Sequence, residues 1–108
     1  MPQRLTRPTR RVLEAFLDEP RREWYGLELI DATKLSSGTT YPILHRLESD
    51  GWLQSTVENI DPTAEGRPAR RLYQLTGVGE TAARQTLAAR KDTRRGTRSL
   101  VPRAGGAA

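Results

Sequence analysis

A chain of 108 residues, 35 % apolar and 29 % charged, can build one modest core and has too little material for two. It contains no cysteine, which removes disulfide frameworks and thiolate metal sites, and no apolar run long enough to span a bilayer. Its 18 Lys and Arg against 13 Asp and Glu leave a formal charge of +5, which favours a polyanionic partner.

That charge is unevenly spread. Residues 46–65 lean acidic, whereas Arg67, Arg70 and Arg71 form one basic cluster. Arg84, Arg90, Lys91, Arg94, Arg95, Arg98 and Arg103 form a second towards the carboxyl end. The start of the chain carries no hydrophobic secretory segment, so a cytoplasmic protein without a membrane partner is expected.

Residues 1–7 are polar and read as a flexible amino terminus. Val12, Leu13, Phe16 and Leu17 then recur at helical spacing and predict a first helix over about 8–17, capped by Thr6 or Thr9. Pro20 ends it. Leu27, Leu29 and Ile30 predict a short second helix, with Leu35 a core contact from the following connection. Trp24 and Tyr25, just before it, read as packing residues.

A third helix lies within residues 37–50. On a helical wheel Ile43, Leu44 and Leu47 cluster on one side with Thr40 beside them, and Tyr41, Pro42, His45 and Ser49 fall largely opposite. Ser37 and Thr39 are alternative N-caps, and Pro42 costs no bond only with Thr39. Gly51 supplies a stop. "WLQSTVE" then reads as a strand, "NIDPTAEGRPA" as a turn-rich loop and "RRLYQLT" as the returning strand. A last helix is expected over about 77–91, with Val78, Ala82, Ala83 and Leu87 as a thin apolar stripe.

Three helices, a hairpin and a closing helix give a mainly α fold with a small β-hairpin, the winged helix-turn-helix. Residues 8–91 form the expected domain, and 92–108 a basic disordered tail. One face of the third helix fastens it to the core and leaves the other free for a major groove, with the wing on the neighbouring backbone or minor groove.

The candidate DNA-binding residues follow. Ser36, Ser37, Gly38, Thr39 and Thr40 lie at the front of the third helix, where free backbone N–H groups and hydroxyls suit a phosphate and Gly38 permits close approach. Tyr41, His45 and Arg46 continue that face. Arg67, Arg70 and Arg71 belong to the wing, and strand alternation sends the last two to different faces. The bland readings are helix capping for the hydroxyls and a solvated charge run for the arginines. His45, the sole histidine, has neither cysteine nor paired carboxylates beside it. With no phosphate-binding glycine loop or nucleophile–base pair either, no enzyme, metal or cofactor is expected.

"YGLELI", "LSSGTTYPILHRLESDGWLQS" and "GRPARRLYQLTGVGE" in this order resemble the PadR-like family of bacterial transcriptional regulators over about residues 10–90. The resemblance implies a homodimeric winged-helix repressor on a roughly palindromic operator, with Ser37 through Tyr41 as the front of the recognition helix and Arg67, Arg70 and Arg71 as the basic wing. It implies dimerisation through the amino-terminal helix and carboxyl-terminal helical material, here Val12 and Phe16 with Val78, Ala82 and Leu87. Some members of the family release DNA on binding a small molecule, and no residue here is assigned to such an effector. The alternatives are a nonspecific architectural DNA-binding protein and a protein-interaction winged helix.

Overall fold

In the computed structural model of the chain, residues 5–89 are described. The expected tail over 92–108, and the last residues expected of the final helix, lie outside them.

Helix α1 (Arg7–Asp18) starts at Thr6, whose Oγ1 accepts the Thr9 N–H at 3.2 Å, and Pro8 sits in the first turn where no bond is lost. Val12, Leu13 and Phe16 are fully enclosed within this single chain. That corrects the expectation for Val12 and Phe16. They are core residues and present no surface to a second subunit.

Strand β1 (Trp24–Tyr25) was not expected. Its two residues pair with β3 (Arg71–Leu75), Trp24 with Tyr73 and Tyr25 with Leu72, and β3 pairs in turn with β2 (Leu53–Val57). The result is an antiparallel sheet of order β1-β3-β2. Trp24 meets Phe16 edge-on at 6.2 Å, and the Arg22 guanidinium covers its ring at 3.6 Å.

Helix α2 (Gly26–Thr33) begins where the Glu28 carboxylate accepts the Tyr25 N–H at 3.1 Å, and ends at Lys34, held in the left-handed region at φ 61°. A short connection leads to α3 (Ser37–Ser49). Its N-cap is neither expected candidate but Ser36, whose Oγ accepts the Thr39 N–H at 3.2 Å. Pro42 is therefore the sixth helical residue, and the Gly38 carbonyl has no helical donor. Gly38 is exposed, so water can take that donor's place.

Gly51, at φ 80°, turns the chain into β2. The wing is more ordered than a loop, for Asp61 caps a one-turn helix α4 (Pro62–Glu65) that closes on Gly66 at φ 72°. Helix α5 (residues 77–89) follows β3. Thr76 Oγ1 accepts the Gly79 N–H at 2.8 Å and donates to the Gly51 carbonyl at 2.7 Å. Gly79 is buried so tightly that an added Cβ would lie 2.7 Å from Trp52 Cα. Ile43, Leu44 and Leu47 of α3 join Leu13, Phe16, Leu29, Trp52, Leu53, Leu75 and Ala83 in one core.

Candidate nucleic-acid interface

Helix α3 is fastened by Thr40, Ile43, Leu44 and Leu47, and the face it leaves outside is polar and narrow at the front. Ser36, Ser37, Gly38, Pro42 and His45 are exposed. Thr39 is half-buried, its Oγ1 accepting from Ser36 Oγ at 3.1 Å. Thr40 is fully enclosed and its hydroxyl has no partner among the described residues. It therefore leaves the set of surface donors. The wheel had already put it beside Ile43 and Leu44, and burial follows from that position.

Tyr41 is 43 % exposed and lies across the start of α2. Its ring packs on Gly26, where an added Cβ would be 2.6 Å from Tyr41 Cζ. A side chain at position 26 would displace the Tyr41 ring from this seat. Arg46, although exposed, sends Nη2 to Thr9 Oγ1 at 3.3 Å, towards the cap of α1.

The wing arginines are used in three different ways. Arg67 grips Glu58 with both guanidinium arms, at 2.7 and 3.2 Å, and the same carboxylate accepts the Arg70 N–H at 2.9 Å. These bonds, Arg67 first and the Arg70 backbone second, lower the Glu58 carboxyl from its ordinary 4.5 to about 2. The charge of Arg67 is thus matched inside the wing. Arg70 stacks its guanidinium over the Tyr25 ring at 4.2 Å. Arg71 is exposed and donates one hydrogen bond, to Ser55 Oγ at 3.0 Å.

Arg70 and Arg71 meet Tyr41 around a notch of about 180 Å³, completed by Tyr25, Gly26, Leu27 and Tyr73. The front of α3 and the wing root are therefore brought together by the fold, and α2 supplies the floor. Residues 17–85 match the transcriptional regulator PadR-like family. The chain belongs to the PadR-like family.

The transcriptional regulator Rv3488 of Mycobacterium tuberculosis is 49 % identical over 49 residues, a stretch covering 45 % of this PadR-like chain and 41 % of that relative. The matched part is thus under half of the curated relative's length. A PadR family regulator from Eggerthella lenta superposes with a TM-score of 0.68 at 26 % identity, covering 84 % of this chain and 80 % of that one. A PadR-like transcription factor from Bacteroides fragilis superposes with a TM-score of 0.70 at 24 % identity, covering 86 % and 88 %, and shares the fold.

The family that the chain belongs to is one of transcriptional regulators. Among the described residues no group of three or more His, Cys, Asp or Glu could hold a metal ion. No helix among them is long and apolar enough to cross a membrane. Of the residues expected at a subunit interface outside α1, Val78 is 71 % exposed on α5, and Ala82 and Leu87 are half-buried against the core.

Sequence reasoning missed Glu58, Ser55 and Tyr25, which govern the three arginines. Glu58 lay within the stretch read as acid-leaning, but only the hairpin brings it opposite Arg67. Nothing in the sequence marked Ser55.

Proposed function

We propose that this PadR-like chain is a sequence-specific, homodimeric repressor. It sets the front of α3 in the major groove and the wing on the adjacent backbone or minor groove. The observation that carries the reading is the division of α3. Thr40, Ile43, Leu44 and Leu47 are buried, while Ser37, Gly38, Tyr41, Pro42 and His45 face outward on one side. Side chains at the front are small enough for the backbone N–H groups of the first turn to approach a phosphate.

Arg70 and Arg71 supply the wing's charge to the DNA backbone, and Arg67 shapes the wing through Glu58. Tyr41, its phenol end lying on Gly26, borders the same notch as Arg70 and Arg71. Residues 8–91 act as the DNA-binding unit, with 92–108 a basic tail. With Val12 and Phe16 inside the core, the second subunit docks on the exposed side of α5 around Val78. Two subunits then read half-sites about one helical turn apart on a roughly palindromic operator.

The test compares binding to the protein's own upstream region with binding to a scrambled duplex at roughly 0.15 M salt, where nonspecific contacts are weakened. Stoichiometry is measured alongside. Tighter binding of the upstream region, with two chains per site, is expected. Equal affinities would mean a nonspecific architectural binder, and a single chain per site would remove the dimer.

A further inference from the structure

Arg71 and Arg67 differ in what holds them. Arg67 faces a carboxylate directly and in two-pronged fashion. Arg71 faces the Ser55 hydroxyl, and that hydroxyl faces Glu48 in the last turns of α3. The direction of this chain is fixed by its ends. A guanidinium can only donate and a carboxylate can only accept, so Ser55 must accept from Arg71 and give its single proton to Glu48.

The intervening hydroxyl has a consequence for charge. Among the described residues no carboxylate oxygen lies within ion-pairing distance of Arg71, and all the ion pairs formed there involve other cations. Arg71 is oriented without a direct ion pair, and among the described residues a single hydrogen bond engages its exposed guanidinium. Glu48 belongs to the same helix as Tyr41 and His45, so the relay ties the wing cation to the helix proposed to read the groove.

We infer that Ser55 and Glu48 are positioning residues that hold Arg71 at a set distance from α3 for contact with a phosphate of the DNA backbone. The inference rests on the proposed DNA-binding reading. Ser55 lies opposite Tyr73 in the sheet, and Arg71 is the diagonal neighbour on the same face, so the strand register itself presents one to the other. A threonine could serve in place of Ser55, since it keeps both donor and acceptor. Alanine could not.

The experiment uses the full chain and a fluorescein-labelled duplex of scrambled sequence, with anisotropy followed across a salt series. Ser55→Ala is expected to weaken binding roughly three- to tenfold at low salt and to lower the salt slope towards that of Arg71→Ala, a loss of about one phosphate contact. Ser55→Thr is expected to restore both. In an Arg71→Ala background, Ser55→Ala is expected to add nothing. Equal losses in both backgrounds would show a general effect on the wing and overturn the relay, as would unchanged affinity and slope in Ser55→Ala. Failure of the wild-type chain to bind the duplex at low salt would overturn the DNA-binding reading itself and the relay with it.

Discussion

Replacing Thr40 with valine exchanges a hydroxyl for a methyl of nearly equal size at a position with no solvent access. The hydroxyl there has no partner among the described residues, whereas its neighbours along the helix, Ile43 and Leu44, are core side chains. A buried hydroxyl without a bond costs about 1–3 kcal/mol. Helix propensity hardly changes between these two β-branched residues. Thr40→Val is therefore expected to stabilise the domain by about 1 kcal/mol or somewhat more, which raises the melting temperature of a domain this size by about 4–8 °C. Thermal and urea unfolding followed by circular dichroism measure it, with Thr40→Ala as the control that removes the hydroxyl and leaves a void. Affinity for DNA should stay at the wild-type value, because the side chain does not reach the surface. A loss of about 1 kcal/mol or more in Thr40→Val would mean that the hydroxyl is bonded in the folded state and would refute the reasoning.

Gly79→Ala should destabilise the fold by about 1–3 kcal/mol or more, since its Cβ meets backbone rather than a side chain that can swing away; a wild-type urea midpoint would contradict the packing described. Because the Glu58 carboxyl is lowered when folded, its contribution to stability is present above its ordinary 4.5 and disappears as the pH falls from there through about 2. Glu58→Gln should accordingly flatten the acid limb of the stability–pH curve, and a parallel limb in the two proteins would show that the pair contributes nothing. Arg71→Ala should reduce the salt slope of DNA binding by about one, whereas Arg67→Ala should leave the slope alone and open the wing to limited proteolysis. The opposite pattern would reverse the roles assigned to these two arginines.

Three helices, the hairpin and the closing helix were legible because each carries its own apolar period. Val12, Leu13 and Phe16 in α1, and Ile43, Leu44 and Leu47 in α3, announce both an element and its buried face. Strand β1 was not legible, because two residues have no period and Trp24–Tyr25 becomes a strand only by pairing with a segment almost fifty residues away. The cap of α3 is Ser36, one residue before the nearer of the two expected alternatives, Ser37 and Thr39. One lost helical bond is tolerable where the orphaned carbonyl, that of Gly38, is open to water.

For the interface, the sequence distinguished basic residues from others but not engaged cations from available ones. Arg67, Arg70 and Arg71 look alike in the chain. They differ in the folded protein because Glu58, Tyr25 and Ser55 arrive from three separate elements or connections. Val12 and Phe16 illustrate the converse difficulty, for an apolar stripe states that a face will be covered without stating whether the cover comes from the same chain.

The joint between α3, β2 and α5 works as a hinge without play. Thr76 clasps the turn at Gly51 with its hydroxyl, receives Gly79 in return, and leaves Gly79 pressed on the Trp52 backbone. Side chains can repack under load, whereas backbone pressed on backbone has nowhere to go. A torque applied to α5 by a docked second subunit would thus be delivered to the far end of α3 almost undamped. In the proposed dimer, a change at this clasp is expected to alter the separation of the two α3 helices and with it the spacing of the DNA site that fits.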